Sequence, residues 1–297
     1  ISIAEIIQHR YTAGTMADVF AFDRLMQIKF NVSELVSVVI EKEFDFHRAG
    51  RWMDDHIIFT FQASFLYLIT IFSIKQWMST RERFTLKYPV ATWNLFIAAL
   101  SGVCAAAMSP EFFGNIYHKG FGGSVCDTQQ ETFSGNQGRA LFLLLIARLP
   151  EFIDTFFIVL KKQPLLFIHY FHHAFTLCMT WGTYSYFAPG SRHAIYVNSL
   201  IHTVMYSYYF LTSLNVRPPP FVARSITIGQ IVQFFYIFYT LVHLTVLHAT
   251  TESCQQDSSG LALTWFMDLT YLYLFIDFYL NKYKGEKKPS QKAKKVE

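Results

Sequence analysis

The sequence predicts an all-α membrane protein with seven transmembrane helices around an enclosed polar chamber. Three observations predict it. Of 297 residues, 52% are hydrophobic and only 15% charged, where a soluble domain carries about 25% charge. The apolar residues fall into seven runs of about the 17–25 residues that cross a bilayer as a helix. The polar residues inside those runs recur at helical spacing and at a common depth.

Residues 1–56 come first; they are mixed and polar, without a run of spanning length. No secretory signal pattern is visible at the start. Asn31-Val32-Ser33 is a glycosylation sequon. The expected spans follow at 57–78, 90–109, 139–160, 165–187, 193–212, 222–247 and 261–280. Arg81, Arg83 and Lys87-Tyr88-Pro89 separate the first two spans. A Gly-rich polar loop with Cys126 precedes the third. Lys161-Lys162-Gln163-Pro164, Ala188-Pro189-Gly190 and Arg217-Pro218-Pro219-Pro220 divide the next ones, and a polar loop with Cys254 precedes the last. The tail from Lys282 is lysine-rich, has nothing apolar to bury, and reads as disordered. The expected organisation is therefore a segment 1–56, a seven-helix domain 57–281 and a basic tail 282–297.

Lysine and arginine in short loops set orientation. Loops 79–88, 161–163 and 213–224 with the tail 281–297 hold 14 of them, and loops 110–138, 188–192 and 248–260 hold 2. The first set is expected in the cytosol. The N-terminus then lies opposite, although residues 1–56 hold six Lys or Arg. Asn31, Cys126 and Cys254 fall on that non-cytosolic side, where glycans and disulfides form. Cys104 and Cys178 lie within spans and read as small apolar fillers. Lys294 and Lys295 stand fourth and third from the carboxyl end. They resemble a dilysine endoplasmic-reticulum retrieval signal; the alternative is a basic tail near anionic lipid. No nucleic-acid partner is expected.

Ionisable residues within spans are functional candidates. Arg148, Glu151, Asp154 and Thr155 form one stripe of the third span. His169, His172 and His173 stand at i, i+3 and i+4 in the fourth and share a face. Asn198, His202, Met205, Tyr206 and Tyr209 line the fifth, and Thr227, Gln230 and Gln233 the sixth. At about 1.5 Å of rise per residue, the polar groups of these four helices all lie roughly 10–17 Å from the cytosolic ends. That common slab is the basis for one chamber opening to the cytosol. His193, His243 and His248 lie toward the other ends and read as incidental.

Imidazoles on one face serve as metal ligands, bases or nucleophiles. Four histidines at one depth are too few for a di-iron centre. A mononuclear site with Glu151 or Asp154 as further ligands stays open, as does acid/base or covalent chemistry. Asn198, one turn before His202, is placed to fix that ring's tautomer.

Four motifs, in order, resemble those of the very-long-chain fatty acid elongases. They are Arg148-Leu149-Pro150-Glu151-Phe152-Ile153-Asp154-Thr155, His169-Tyr170-Phe171-His172-His173, His202-Thr203-Val204-Met205-Tyr206-Ser207-Tyr208-Tyr209 and Thr227-Ile228-Gly229-Gln230-Ile231-Val232-Gln233. The resemblance covers roughly residues 55–285. Arg148 departs from it, since Lys is usual there, and the two cations differ in hydrogen-bond geometry. The resemblance implies a fold of seven transmembrane helices enclosing a buried active-site tunnel. It implies an acyltransferase, a 3-oxoacyl-CoA synthase that condenses acyl-CoA with malonyl-CoA. His172 would be the nucleophile, His202 would position or polarise the thioester or stabilise the developing charge, and His169 and His173 would orient the nucleophile. Arg148, Glu151 and Asp154 would shape the field. Lys161, Lys162, Arg217 and Arg224 would hold CoA phosphates, unless they serve topology alone. Cys126 and Cys254 match the family's disulfide pair. No metal or redox cofactor is implied. The implied partners are the two CoA thioesters, membrane lipid, a second copy of the chain, and the ketoacyl-CoA reductase, dehydratase and enoyl-CoA reductase of the cycle. Two other classes compete, a metal-dependent lipid oxidase or hydroxylase and a seven-helix receptor or transporter.

Overall fold

The computed structural model describes residues 29–127, 133–184, 190–251, 254 and 258–284. Lys294, Lys295 and most of the segment before Asn31 lie outside the described residues, as do Ala188 and Pro189. The described residues form ten α-helices and no strand: α1 (Val32–Ile40), α2 (Phe46–Asp55), α3 (Ile57–Met78), α4 (Lys87–Val125), α5 (Gly135–Ile146), α6 (Phe152–Leu160), α7 (Phe167–Tyr184), α8 (Ser191–Ser213), α9 (Pro220–Thr250) and α10 (Ser258–Lys284). Helices α3, α4, α9 and α10 are long and apolar enough to cross a membrane, so the chain is a multi-pass membrane protein. Two compact units divide it, Ile1–Thr85 with Thr128–Phe187, and Leu86–Asp127 with Ala188–Glu297.

In the first unit, α3 follows the expected span. Its buried face is Thr60, Ser64, Tyr67 and Ile71, while Phe61, Phe65, Leu66, Ile69 and Phe72 are exposed. This is the inverse of a soluble helix. Lipid takes the large apolar groups, and hydroxyls turn inward to find partners. Ser64 Oγ donates to the Ala174 carbonyl of α7 (3.0 Å), and Trp181 Nε1 of α7 donates to the Leu145 carbonyl of α5 (3.1 Å).

The expected third span, 139–160, is broken. α5 ends at Ile146 and α6 begins at Phe152, with a turn between. Pro150 is the cause: it has no N–H for the Ile146 carbonyl, and its ring crowds that carbonyl. The Ile146 oxygen instead accepts from Leu149 N (3.2 Å), and Arg148 N and Phe152 N also reach back only three residues. These i→i−3 bonds make the turn between α5 and α6 tighter than an α-helix. α6 ends with Lys162 at φ 54°. Lys162 N bonds Val159 O and Gln163 N bonds Ile158 O, the double closure of a Schellman cap.

The segment before the first span is not featureless. Asn31 Oδ1 accepts from Glu34 N (3.1 Å) and caps α1. Asp45 Oδ1 accepts from His47 N (2.8 Å) and Arg48 N (3.1 Å) and caps α2. α2 buries Phe46, Ala49, Gly50, Trp52 and Met53. Its rings meet Phe133, Phe142, Trp181 and Tyr184.

In the second unit, α4 packs along α8, and α9 packs against α8 and α10. Ile97 and Ala98 of α4 bury Tyr206 of α8, flanked by Trp93 and Met205. Phe234 of α9 meets Tyr271 and Phe275 of α10. α4 runs 16 residues past the expected end at 109, because the polar groups beyond Pro110 find partners in the unit. Glu111, Asn115 and Lys119 recur every four residues on one face. Asn115 Nδ2 donates to Glu111 Oε1 (3.0 Å), and Lys119 Nζ pairs with Asp127 (2.9 Å). The helix kinks at Gly120 (φ 68°), a left-handed backbone that favours glycine. A Cys126–Cys254 disulfide with Cα atoms 5.2 Å apart follows. α10 also outruns the expectation, staying helical to Lys284. Lys282 Nζ lies 5.1 Å from the Phe278 ring.

Candidate active site

In the first unit α7 carries His169, His172 and His173 together. The His169 and His173 ring centroids are 4.5 Å apart, and those of His172 and His173 5.5 Å. His173 is buried and the other two are half-buried. A hydroxyl chain holds the first ring: Tyr67 OH lies 2.7 Å from Thr155 Oγ1, which lies 2.9 Å from His169 Nε2. A hydroxyl gives one proton and accepts another. The chain therefore serves either His169 tautomer, with Tyr67 donating inward or Nε2–H donating outward. Tyr67 also stacks on Phe152, centroids 4.1 Å apart, so its hydroxyl has a fixed origin.

The turn at Pro150 sets Arg148 and Glu151 three residues apart, with Arg148 Nη1 3.1 Å from Glu151 Oε2. Both side chains are almost wholly buried, 5% and 3% exposed. A buried pair of this kind places a fixed dipole in a low-dielectric site. Asp154 is half-buried on α6. Among the described residues no group of three or more His, Cys, Asp or Glu is arranged to hold a metal ion.

In the second unit α8 and α9 carry the remaining motifs. His202 and Tyr206 are buried, 5.4 Å between centroids. Tyr209, one turn on, is exposed toward its end. Asn198 is half-buried one turn before His202. Gln230 Nε2 donates to Met205 Sδ (3.2 Å), linking the motif of α9 to that of α8. Thr227 and Gln233 of α9 are buried.

Two of the four basic residues have local partners. Lys162 Nζ donates to the Ser79 and Arg81 carbonyls (3.3 and 3.0 Å), closing the end of α3. Arg224 Nε donates to Tyr279 OH (2.8 Å). Arg217 is exposed after Asn215, whose φ of 68° closes α8. Lys161 is half-buried.

Two groups of residues are not apparent from the sequence. Tyr67 is one; its signal is a tyrosine eleven residues into a 22-residue apolar run, too deep for an interfacial belt. The other is a polar corner around His193, a residue whose place near a span end makes it look incidental. His193 is fully buried. Its Nε2 meets Ser124 Oγ (3.0 Å) and its Nδ1 meets Tyr236 OH (2.8 Å). Beside it Arg192, 2% exposed, pairs with Glu111 and donates to Ser124 O (2.6 Å) and Oγ (3.1 Å). Partners for this corner come from three helices far apart in sequence, so no local spacing announces it.

Residues 52–292 match the pattern of the GNS1/SUR4 (ELO) family. The chain is 39% identical over 263 residues to "Long chain fatty acid elongase 1" of Caenorhabditis elegans, covering 88% of this chain and 91% of that one. It is 32% identical over 263 residues to "Very long chain fatty acid elongase 6" of Drosophila melanogaster, covering 87% and 83%. To "Very long chain fatty acid elongase 6" of Homo sapiens it is 30% identical over 269 residues, covering 90% and 100%. By the extent of the match and the reach of these identities, the chain belongs to the GNS1/SUR4 family.

Proposed function

We propose that the chain is a condensing enzyme of fatty acid elongation, an acyltransferase that joins long-chain acyl-CoA to malonyl-CoA. The observation that carries this reading is the His169, His172 and His173 face of α7, with the His169 ring held through Thr155 and Tyr67. It occurs in a family whose relatives are named fatty acid elongases. A nitrogen of His172 attacks the acyl thioester carbonyl. The C–S bond breaks, CoA leaves, and the acyl group rests on the imidazole. Malonyl-CoA then enters and loses CO2, and the electron pair of the broken bond becomes an enolate. The enolate carbon attacks the acyl carbonyl, the C–N bond breaks, and 3-ketoacyl-CoA two carbons longer departs. His202 polarises the thioester carbonyl, and His169 and His173 orient the nucleophile. Arg148, Glu151 and Asp154 supply a preorganised field, while Asn198, Met205, Tyr206, Tyr209, Gln230 and Gln233 shape the chamber. Lys161, Lys162, Arg217 and Arg224 would bind the CoA phosphates, the alternative being that they serve topology alone.

In this reading seven spans between residues 57 and 281 enclose an acyl tunnel in the endoplasmic-reticulum membrane, with the N-terminus, Asn31 and the disulfide lumenal and the tail cytosolic. Lys294 and Lys295 return the enzyme to that compartment. A second copy and the reductases and dehydratase of the cycle are its partners. The course uses no metal or redox cofactor.

The test is condensation by purified, detergent-solubilised chain given malonyl-CoA and C16 to C22 acyl-CoAs, with and without chelator. The expected result is a chelator-resistant 3-ketoacyl-CoA. No product from any acyl-CoA, with iron bound to the sample, would point to lipid oxidation instead. Arg148→Lys keeps the charge beside Glu151 and is expected to retain activity within roughly tenfold, since one charge-assisted bond survives. A dead Arg148→Lys enzyme of normal abundance would show that the guanidinium shape itself is required.

A further inference from the structure

Helix α1 carries more apolar surface than the described residues cover. Val38 is fully buried, but Val32, Val36 and Ile40 are 57%, 48% and 72% exposed. They stand at i, i+4 and i+8, so they form one stripe along the whole helix. Glu34 lies opposite the stripe and Ser37 on its polar flank. Ser37 Oγ accepts from Arg48 (2.6 Å) and Glu41 pairs with the same guanidinium (3.0 Å), tying that side to α2. The helix is thus amphipathic, its polar flank anchored to protein and much of its apolar flank uncovered.

Its height is fixed at the N-terminal end of the spanning helix α3. Asn31 N donates to His56 Nε2 (3.0 Å), and His56 immediately precedes α3. Trp52 Nε1 donates to Asn31 O (3.3 Å). The Phe30 ring lies 4.5 Å from that of Phe59, in the first turn of α3. Three contacts therefore hold the start of α1 where α3 enters the bilayer, and α3 begins its own lipid-facing surface, Phe61 and Phe65, one turn further on. The exposed stripe therefore starts at the level of the first turn of α3.

We propose that α1 is an interfacial membrane anchor: Val32, Val36 and Ile40 rest in the headgroup–acyl boundary of the leaflet at the N-terminal end of α3. Short amphipathic helices bind lipid in this way through apolar area laid parallel to the surface, and uncovered apolar patches of this kind mark interaction sites. The occupant is bilayer lipid. The anchor holds the α1–α2 cap, and with it the aromatic cluster over α5 and α7, at a set height. It is independent of the reaction proposed above, and its test needs no activity.

The full chain, with Cys104 and Cys178 replaced by Ser, carries a single fluorescent thiol label at Val36→Cys, Ile40→Cys or Arg51→Cys and is reconstituted in phosphatidylcholine nanodiscs. Arg51 is exposed on the outer side of α2 and serves as the aqueous control. Brominated phosphatidylcholine is expected to quench labels at 36 and 40 at least threefold more than at 51, and iodide to do the reverse. Labels at 36 and 40 that respond like 51 would overturn the proposal. So would labels protected from both quenchers, which would mean that another part of the chain or a second copy covers the stripe. The unsubstituted chain provides a check immune to misfolding. A diazirine-bearing phospholipid should modify the peptide 29–41 together with α3, and modification of α3 alone would equally overturn it.

Discussion

Replacing His172 with Ala is expected to reduce condensation by at least about 10³-fold, the scale on which loss of a nucleophile falls, while abundance and membrane insertion stay normal. A covalent course needs a group that accepts the acyl chain and releases it again. His172 stands between the other two histidines in sequence, and its ring lies close to that of His173. Its loss leaves the Tyr67–Thr155–His169 chain intact. Single-turnover kinetics with labelled acyl-CoA would separate the steps. The wild-type chain should release free CoA before malonyl-CoA is added, and His172→Ala should not. Substantial turnover by the variant, or a CoA burst that survives in it, would remove His172 from the nucleophile's place.

Much of this site is legible in the amino-acid order itself. Polar residues in apolar runs are rare enough that their spacing carries information, and that spacing places His169, His172 and His173 on one helix face. What the order of residues does not convey is how each unit supplies partners. The third span reads as continuous because its hydrophobicity is continuous. Pro150 divides it, and the division is what sets Arg148 against Glu151 in a tight turn. The end of α4 reads as loop because Glu111, Asn115 and Lys119 are polar, yet Asp127 and Arg192 satisfy them and the helix continues. α7 and α8 fall outside the strongly apolar helices for a related reason: they carry the histidines, Asn198 and Arg192. The amphipathic helices α1 and α2 are hard to see because neither is long enough to register as a span, and their apolar faces become visible only at a period of 3.6.

The polar corner at the start of α8 leads to the second large expectation. Arg192→Ala should destabilise the protein by about 3–5 kcal/mol, the range for removing one partner of a buried pair. Arg192 is the hub: it pairs with Glu111, donates twice to Ser124, and lies 3.9 Å from Asp127. Its loss leaves two carboxylates near one another with Lys119, itself 35% exposed, as counter-charge. Those groups join α4 to α8, and Tyr236 on His193 extends the connection to α9. Arg192→Lys should lie between wild type and Ala, because one ammonium cannot replace a fork that serves Glu111 and Ser124 together. Arg192→Ala with Glu111→Ala should recover part of the loss, because the orphaned carboxylate is gone. Thermal unfolding followed by size-exclusion fluorescence would measure the series. Equal unfolding temperatures for wild type and Arg192→Ala would show that the corner does not hold the unit together. Ten residues of α8, about 15 Å of rise, separate Arg192 from His202. Molecules of Arg192→Ala that remain folded should therefore turn over at the wild-type rate. A fall in rate per folded molecule would instead mean that strain at this end of α8 reaches the histidine.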